Sequence, residues 1–261
     1  MGLPELADEE TCDALTAEWR VIQRRGGHRY SIDDVSVAWL ATSLRPDARR
    51  VLDLGCGLGS VLLMTAWRLR DARLVGIEAQ SQSFGLALRN LALNGCDDRV
   101  RVIHGDLRDA AVCESARRDG PFDLVTGTPP YYRPGRALVS PDTQRAYARV
   151  ELRGGIEEYT LAAARVLADH GMFVTVLKPE SPDRLAPAAS AAGLHVVLLR
   201  DLVKSPGRPP FLTLAAMSPT PAPTERLAPI VTRDEHGRRT AEHVALRRHF
   251  GLSTTDDGDC R

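Results

Sequence analysis

The ten residues Val51-Leu-Asp-Leu-Gly-Cys-Gly-Leu-Gly-Ser60 leave this chain few ways to fold. An apolar run that ends in three alternating glycines reads as a buried strand turning sharply into a helix. Gly55, Gly57 and Gly59 can adopt positive φ and let a ligand lie against bare backbone, while the helix that follows presents its unpaired N–H groups. A dinucleotide fingerprint needs its third glycine three residues after the second, and here that position is Ser60. The spacing therefore argues against a nicotinamide dinucleotide. Asp53, just ahead of the glycines, would repel a pyrophosphate and suits a ligand that carries an ammonium group.

Two more strand ends carry polar groups. Arg73-Leu-Val-Gly-Ile-Glu78 is an apolar strand that closes on an acid about 20 residues beyond the glycines, where a carboxylate accepts both hydroxyls of a ribose. Val100-Arg-Val-Ile-His104 runs into Gly105-Asp106-Leu107, and the Asp106 carboxylate can accept a hydrogen bond from an adenine amino group. An ammonium, a ribose and an adenine together describe S-adenosylmethionine. In an open parallel sheet, ligands bind outside the carboxyl ends of the strands, so these positions converge on one site.

The middle of the chain alternates strand and helix: strands at 51–55, 73–78, 100–104 and 122–127, helices near 58–70 and 81–93, and a short helical link before the fourth strand. Such βαβ repetition implies a parallel sheet with right-handed crossovers. A helix near 156–168, a strand at 172–177, a helix near 183–192 and strands at 195–199 and 211–216 follow. The last two strands, joined through the long turn 206–210 without a helix, form an antiparallel pair at one sheet edge. Three segments are expected. Residues 1–45 form a helical lid whose helix starts at Ile32 behind the N-cap Ser31, residues 46–217 form the ligand-binding body, and residues 218–261 form a hairpin extension turning near His236-Gly237, with a loose tail from Ser253. Ahead of the lid helix lie Arg20, Arg24, Arg25, His28 and Arg29.

At 261 residues, with 43% hydrophobic residues, the chain can bury one good core with room for an appendage. Thirty-four basic and 34 acidic residues cancel, so a nucleic-acid partner has to be held by a local basic patch. Cys12, Cys56, Cys96, Cys113 and Cys260 include no Cys-x-x-Cys pair and suit reduced thiols in a cytosol. No structural metal is expected, since His236, His243 and His249 match no ligand spacing. No apolar stretch approaches the roughly 18 residues of a membrane span, and Pro4-Glu-Leu-Ala-Asp-Glu-Glu10 is unlike a signal peptide. The expectation is a soluble, cytoplasmic protein that binds neither membrane nor metal.

The fourth strand, Phe122-Asp-Leu-Val-Thr-Gly127, opens directly into Thr128-Pro129-Pro130-Tyr131-Tyr132. Two successive prolines fix the backbone where the sheet presents its ligand edge. A methyl group on a sulfonium is already electrophilic, so catalysis consists mostly of holding a nucleophile in line with it, a gain that can reach about 7–11 kcal/mol. Tyr131 offers a ring for a planar base, and the backbone carbonyls at the prolines can accept from an exocyclic amino group. Tyr132, Arg133 and Arg136 follow closely enough to meet the substrate, the arginines through a phosphate.

Together Asp53-Leu-Gly-Cys-Gly-Leu-Gly59, Glu78, Gly105-Asp-Leu107 and the Pro-Pro-Tyr motif resemble the class I S-adenosylmethionine-dependent methyltransferases that alkylate planar amino groups. Among these, the arrangement of Gln23, Gly27-His-Arg-Tyr-Ser-Ile-Asp33, Ala148-Arg-Val-Glu151 and Pro229-Ile-Val-Thr-Arg-Asp-Glu-His-Gly237 resembles the bacterial tRNA(Val) adenine-N6 methyltransferases. The resemblance implies a Rossmann-like α/β fold with a seven-stranded, mostly parallel sheet, an antiparallel edge pair and helices on both faces. It implies cofactor contacts from Tyr30, Asp53, Gly55, Gly57, Gly59, Glu78, Asp106, Leu107 and Thr128, catalysis at Thr128, Pro129, Pro130 and Tyr131, and substrate contacts from Tyr131, Tyr132, Arg133 and Arg136. Its family carries Asn or Asp where this chain has Thr128, a shorter acceptor that is also a donor. Three readings follow: methylation of adenine N6 in tRNA, methylation of a small molecule or peptide, and a silent binder of the same fold.

Overall fold

Residues 5–179 and 182–254 are described by a computed structural model. The N-terminal segment is not purely helical: β1 (Glu10–Ala14) and β2 (Arg20–Arg24) form an antiparallel hairpin ahead of α1 (Ile32–Leu44). What holds the hairpin is distant in sequence. Asn90 accepts the Ile22 N–H at 2.7 Å and donates to the carbonyls of Ile22 and Leu58 at 3.1 and 2.9 Å, so its amide acts as an extra strand residue. Asn94 does the same for Arg20, accepting its N–H at 2.9 Å and donating to its carbonyl at 2.8 Å. Pairing of this kind leaves no periodicity in residues 10–24.

The organising run forms β3 (Arg50–Leu54) and α2 (Ser60–Arg68). After these come β4 (Arg73–Glu78), α3 (Ser81–Leu93), β5 (Val100–His104), α4 (Ala110–Arg117) and β6 (Phe122–Gly127). A short helix, α5 (Thr143–Arg149), precedes α6 (Ile156–Val166) and β7 (Leu167–Leu177), and α7 (Pro182–Ala191), β8 (His195–Val203) and β9 (Pro210–Ser218) follow. The chain then adds β10 (Glu225–Val231) and α8 (Ala241–His249).

One eight-stranded sheet in the order β10-β8-β9-β7-β6-β3-β4-β5 organises these elements. β3 pairs parallel with β4 on one side and with β6 on the other, so the strand order reverses between β3 and β6 and opens a crevice at their carboxyl ends. β3 explains the continuous apolar reading of its sequence: Val51 joins the core on one face of the sheet, Leu52 and Leu54 the core on the other. The first face is covered by α1, α2, α3 and α8 through Val37, Leu62, Leu86 and Leu246, the second by α4, α6 and α7 through Cys113, Ala163 and Leu185.

The expected sheet thus gains an eighth strand, and the antiparallel pair is not at its edge. β9 runs antiparallel to both β7 and β8, and β10 lies outside, parallel to β8. The reason is where the proline-rich link returns the chain. Ser218, the end of β9, lies opposite His195, the start of β8, and Thr224 donates to the Val196 carbonyl at 2.7 Å, so β10 sets out from the same end as β8. Pro229 cannot donate and falls at a register shift between Leu227 and Ile230 on this edge strand. The expected C-terminal hairpin is therefore only a turn: Asp234 accepts from the N–H groups of His236 and Arg238 at 2.9 Å, and a single antiparallel bridge joins Arg233 to Arg239. Of the expected loose tail, residues 255–261 lie outside the described residues, as does Cys260, while the other four cysteines are free thiols. Among the described residues no helix is long and apolar enough to cross a membrane.

Candidate active site

At the crevice the three glycines have separate tasks. All have positive φ, at 61° for Gly55, 57° for Gly57 and 92° for Gly59. A Cβ on Gly55 would stand 2.1 Å from the Tyr159 hydroxyl, so the turn is packed directly on α6. A Cβ on Gly57 meets nothing within 4 Å, because this residue faces an open cavity of about 860 Å³. Gly59 is the N-cap of α2 and does not reach the cavity wall.

Glu78, at the end of β4, is buried on that wall, where its carboxylate accepts the Gly57 N–H at 2.8 Å and the Gln80 N–H at 2.6 Å. Burial pushes its carboxyl up, against the pull of those donors. Leu107 and Ile77 supply apolar wall. Asp106 is also on the wall, but its carboxylate is engaged by Arg108 through two bonds of 2.9 and 2.7 Å and by the Arg108 N–H at 3.0 Å, and this pairing holds it below the usual range. Tyr30 joins the wall from the hairpin side, with its hydroxyl donating to the Ala14 carbonyl at 2.6 Å.

Asp53 is placed differently from expectation. It lies behind the cavity, fully buried, with one oxygen accepting from the Thr126 hydroxyl at 2.8 Å, and burial pushes its carboxyl up to about 7. β3 turns its odd-numbered side chains toward the α1–α2 core rather than along the sheet axis, and Asp53 goes with them. The carboxylate that does face the cavity beside the glycine turn is Asp34, from the first turn of α1. It accepts the Ser31 N–H at 2.8 Å and the Ser60 hydroxyl at 2.8 Å, and burial with Asp33 beside it pushes its carboxyl well up. Its sequence signal was the spacing of Ser31 and Asp34, which reads as a helix start and nothing more.

Beyond Thr128 lies a second cavity, of about 1030 Å³. Thr128, His28, Asp34 and Ala148 line both cavities, so this is where their contents would meet. Pro130 faces the first and Pro129 the second. Tyr131 lines the second cavity, its hydroxyl donating to Asp33 at 2.5 Å and its ring centroid 5.6 Å from the Lys178 ammonium. Tyr132 lines it too and is tied to the end of α5, its N–H donating to the Arg149 carbonyl at 3.0 Å. Burial pushes the His28 imidazole down, against the pull of Asp33.

Arg133 and Arg136 are exposed on the loop and line neither cavity; Arg133 lies 3.9 Å from Glu157. The cations of the second cavity are instead Arg29, Arg145, Arg149 and Lys178. Arg145 and Arg149 are four residues apart on α5 and so share a face. Gln144 ties this helix to the hairpin: it accepts the His28 N–H at 3.2 Å and donates to Ser83 at 3.1 Å.

The chain is similar to known methyltransferases in sequence and in fold. A family model described as "Methyltransferase small domain" matches residues 18–145. A protein of Tolumonas auensis named "tRNA1(Val) (adenine(37)-N6)-methyltransferase" is 30% identical over 208 residues, covering 78% of this chain and 83% of the relative. A protein of Erwinia tasmaniensis with the same name is 31% identical, at 78% and 81% coverage. A solved structure described as a predicted O-methyltransferase from Agrobacterium tumefaciens shares the fold, with a TM-score of 0.65 at 19% identity over 86% of this chain and all 100% of the other.

Proposed function

The chain belongs to the family of the tRNA1(Val) adenine-N6 methyltransferases, and from that membership we propose that it methylates the N6 amino group of an adenine in tRNA. The observation that carries the reading is the meeting of two cavities at Thr128, one built on the glycine turn and one beside Tyr131. The first fits S-adenosylmethionine: Gly57 leaves room a side chain would fill, Leu107 and Ile77 can flank an adenine, and Glu78 has lone pairs left for ribose hydroxyls. Asp34 takes the ammonium in this reading, and Asp53 supports the strand behind it. When bound, the cofactor supplies a methyl group on a sulfonium.

The chain's own residues then hold the nucleophile. Tyr131 stacks the target base, while the Thr128 hydroxyl and the Pro129 carbonyl accept from its amino group and aim the nitrogen lone pair. As the nitrogen gains the methyl it must lose a proton, and the His28 imidazole, which lines both cavities, can receive it. The cationic wall of the second cavity meets phosphate, a local basic patch on a chain of zero net charge. Residues 46–217 are the methyltransferase body, residues 1–45 close it, and the place of work is the cytoplasm. One observation favours a second reading, methylation of a small molecule or peptide: Thr128 stands where the family has Asn or Asp.

Incubation with tritiated S-adenosylmethionine separates these readings, using transcribed tRNA, protein extract and small-molecule extract in parallel. Label should enter the tRNA and elute as N6-methyladenosine after nuclease digestion. Label confined to either of the other fractions would overturn the tRNA reading.

A further inference from the structure

The cavity under the glycine turn has a wall that the reading above leaves unused. Ile77 and Glu78 end β4, and Asp106 and Leu107 follow β5, whereas Tyr147 of α5 and Arg153 of the turn after it reach the cavity from outside the sheet. Both of these side chains are half-buried. The Arg153 guanidinium lies 4.7 Å from the centroid of the Tyr147 ring. Among the described residues it makes no hydrogen bond or ion pair, and the Tyr147 hydroxyl makes none either.

The charge of Arg153 places it at one end of the cavity. It draws down the carboxyls of both Glu78 and Asp106, in each case behind a larger cause: burial, which pushes Glu78 up, and the bonds from Arg108, which hold Asp106 low. Asp34, at the ammonium end, is governed by burial and by Asp33. Arg153 therefore belongs with the two acids assigned to ribose and adenine.

The turn that carries it is braced on both sides. The Glu151 N–H donates to the Tyr132 carbonyl at 2.9 Å, the Glu151 carboxylate accepts from Arg184 of α7 at 2.7 and 3.0 Å, and the Leu152 N–H donates to the Val150 carbonyl at 2.6 Å. An arginine so fixed, with a ring for a seat and its donors unspent, loses little freedom when a ligand arrives. A guanidinium is a planar cation that stacks on aromatic systems, and a purine offers it one.

We infer that Arg153, seated on Tyr147, closes over the adenosine of S-adenosylmethionine and holds the purine against Leu107 and Ile77. The inference rests on the cofactor reading of this cavity and adds to it a cap supplied from outside the sheet. A cation that only balanced Glu78 and Asp106 would serve equally well as lysine; a cap needs the plane.

Calorimetry on the full chain tests this with two ligands, S-adenosylhomocysteine and 5′-methylthioadenosine, which keeps the adenosine and lacks the amino-acid end. Arg153→Ala removes no hydrogen bond or ion pair made among the described residues, so its melting temperature should match the parent's. Its Kd should rise about tenfold, by the same factor for both ligands, as expected for one lost stacking contact. Arg153→Lys keeps the charge without the plane and should stay close to the alanine variant. Tyr147→Ala should also weaken both ligands, and the double variant should lose about as much as the weaker single rather than the product of the two, because guanidinium and ring act as a unit. Unchanged affinity in Arg153→Ala would overturn the inference, as would a loss confined to S-adenosylhomocysteine, full recovery with lysine, or losses that multiply. A parent that binds neither ligand would instead overturn the cofactor reading.

Discussion

The cavity under the glycine turn is walled mainly by the ends of β3, β4 and β5 and the few residues after each, with the loop 28–30, Asp34 and α5 closing it, whereas the cavity beyond Thr128 is assembled from the loop 27–33, the end of β6, α5 and Lys178 just after β7. In the first, Gly55, Gly57, Glu78, Asp106 and Leu107 are carried at or just after the ends of neighbouring parallel strands, with Asp34 of α1 and Tyr30 added from outside the sheet. In the second, placement depends on links between segments more than 50 residues apart, such as Gln144 to His28, Asn90 to Ile22 and the 2.9 Å ion pair between Arg24 and Asp142. A family can hold the first constant through backbone geometry and vary the second by exchanging loops. Substitutions should therefore separate into those that disturb cofactor binding and those that disturb the substrate alone.

The largest effect is expected at Gly55. Alanine there must adopt φ near +61° and place its Cβ 2.1 Å from the Tyr159 hydroxyl, so the turn and α6 have to separate. Left-handed backbone alone costs about 1–2 kcal/mol, and overpacking adds about 1–3 kcal/mol. Urea unfolding should show the sum, together with loss of S-adenosylhomocysteine binding. Gly57→Ala sharpens the contrast, because its Cβ meets open space. Stability should fall only by the backbone cost, while cofactor affinity falls at least as far as in Gly55→Ala; an affinity equal to the parent's would mean that the ligand does not lie over this residue.

Next in size is Glu78→Ala. It removes the acceptor for two backbone N–H groups and for the ribose, and loss of a charge-assisted contact costs about 1.5–3 kcal/mol, or roughly ten- to hundredfold in affinity. Calorimetry with S-adenosylhomocysteine reads this directly. The KM for tRNA should stay put, and a variant in which tRNA KM rises while cofactor affinity holds would place Glu78 on the wrong side of the comparison.

Tyr131→Ala is the counterpart on the substrate side. Stacking contributes about 1–3 kcal/mol per base, so substrate KM should rise about tenfold with cofactor affinity unchanged. Phe at this position keeps the ring but removes the donor to Asp33, which lies next to Asp34 on the shared wall. Tyr131→Phe should therefore keep most of the substrate affinity and lose a few-fold in kcat.

The same division explains how far the site could be read from the residues. Gly57, Glu78, Leu107 and Thr128 sit within a turn of a strand whose apolar run is plain in the sequence, and all four line the cavity under the glycine turn. Asp53 misled because a strand end names which residues are near a ligand but not which way each side chain turns, and its alternation sent this one into the core. Asp34, Gln144 and Lys178 carry no local signal of ligand contact, since each acquires its position through tertiary packing. Arg133 and Arg136 misled for the complementary reason: proximity in sequence to Tyr131 put them on an exposed loop, and the cavity took its cations from α5, β7 and the loop before α1.

The smallest expected change is Thr128→Asn, and it bears most directly on the substrate. Thr128 lines both cavities at the end of β6, where its hydroxyl can accept one hydrogen bond while donating another. Asparagine extends the acceptor by one bond, without altering the strand that ends at Gly127. If the target is an adenine amino group, a better-placed acceptor strengthens in the transition state and kcat on tRNA should hold or rise, by up to about tenfold for roughly 1.4 kcal/mol. If the nucleophile is a hydroxyl or a small amine that uses the Thr128 hydroxyl as donor, the amide presents the wrong partner and activity falls. A loss of more than about tenfold, in a parent that methylates a substrate lacking a planar amino group, would show that the second cavity had been rebuilt for another nucleophile while the first kept its cofactor.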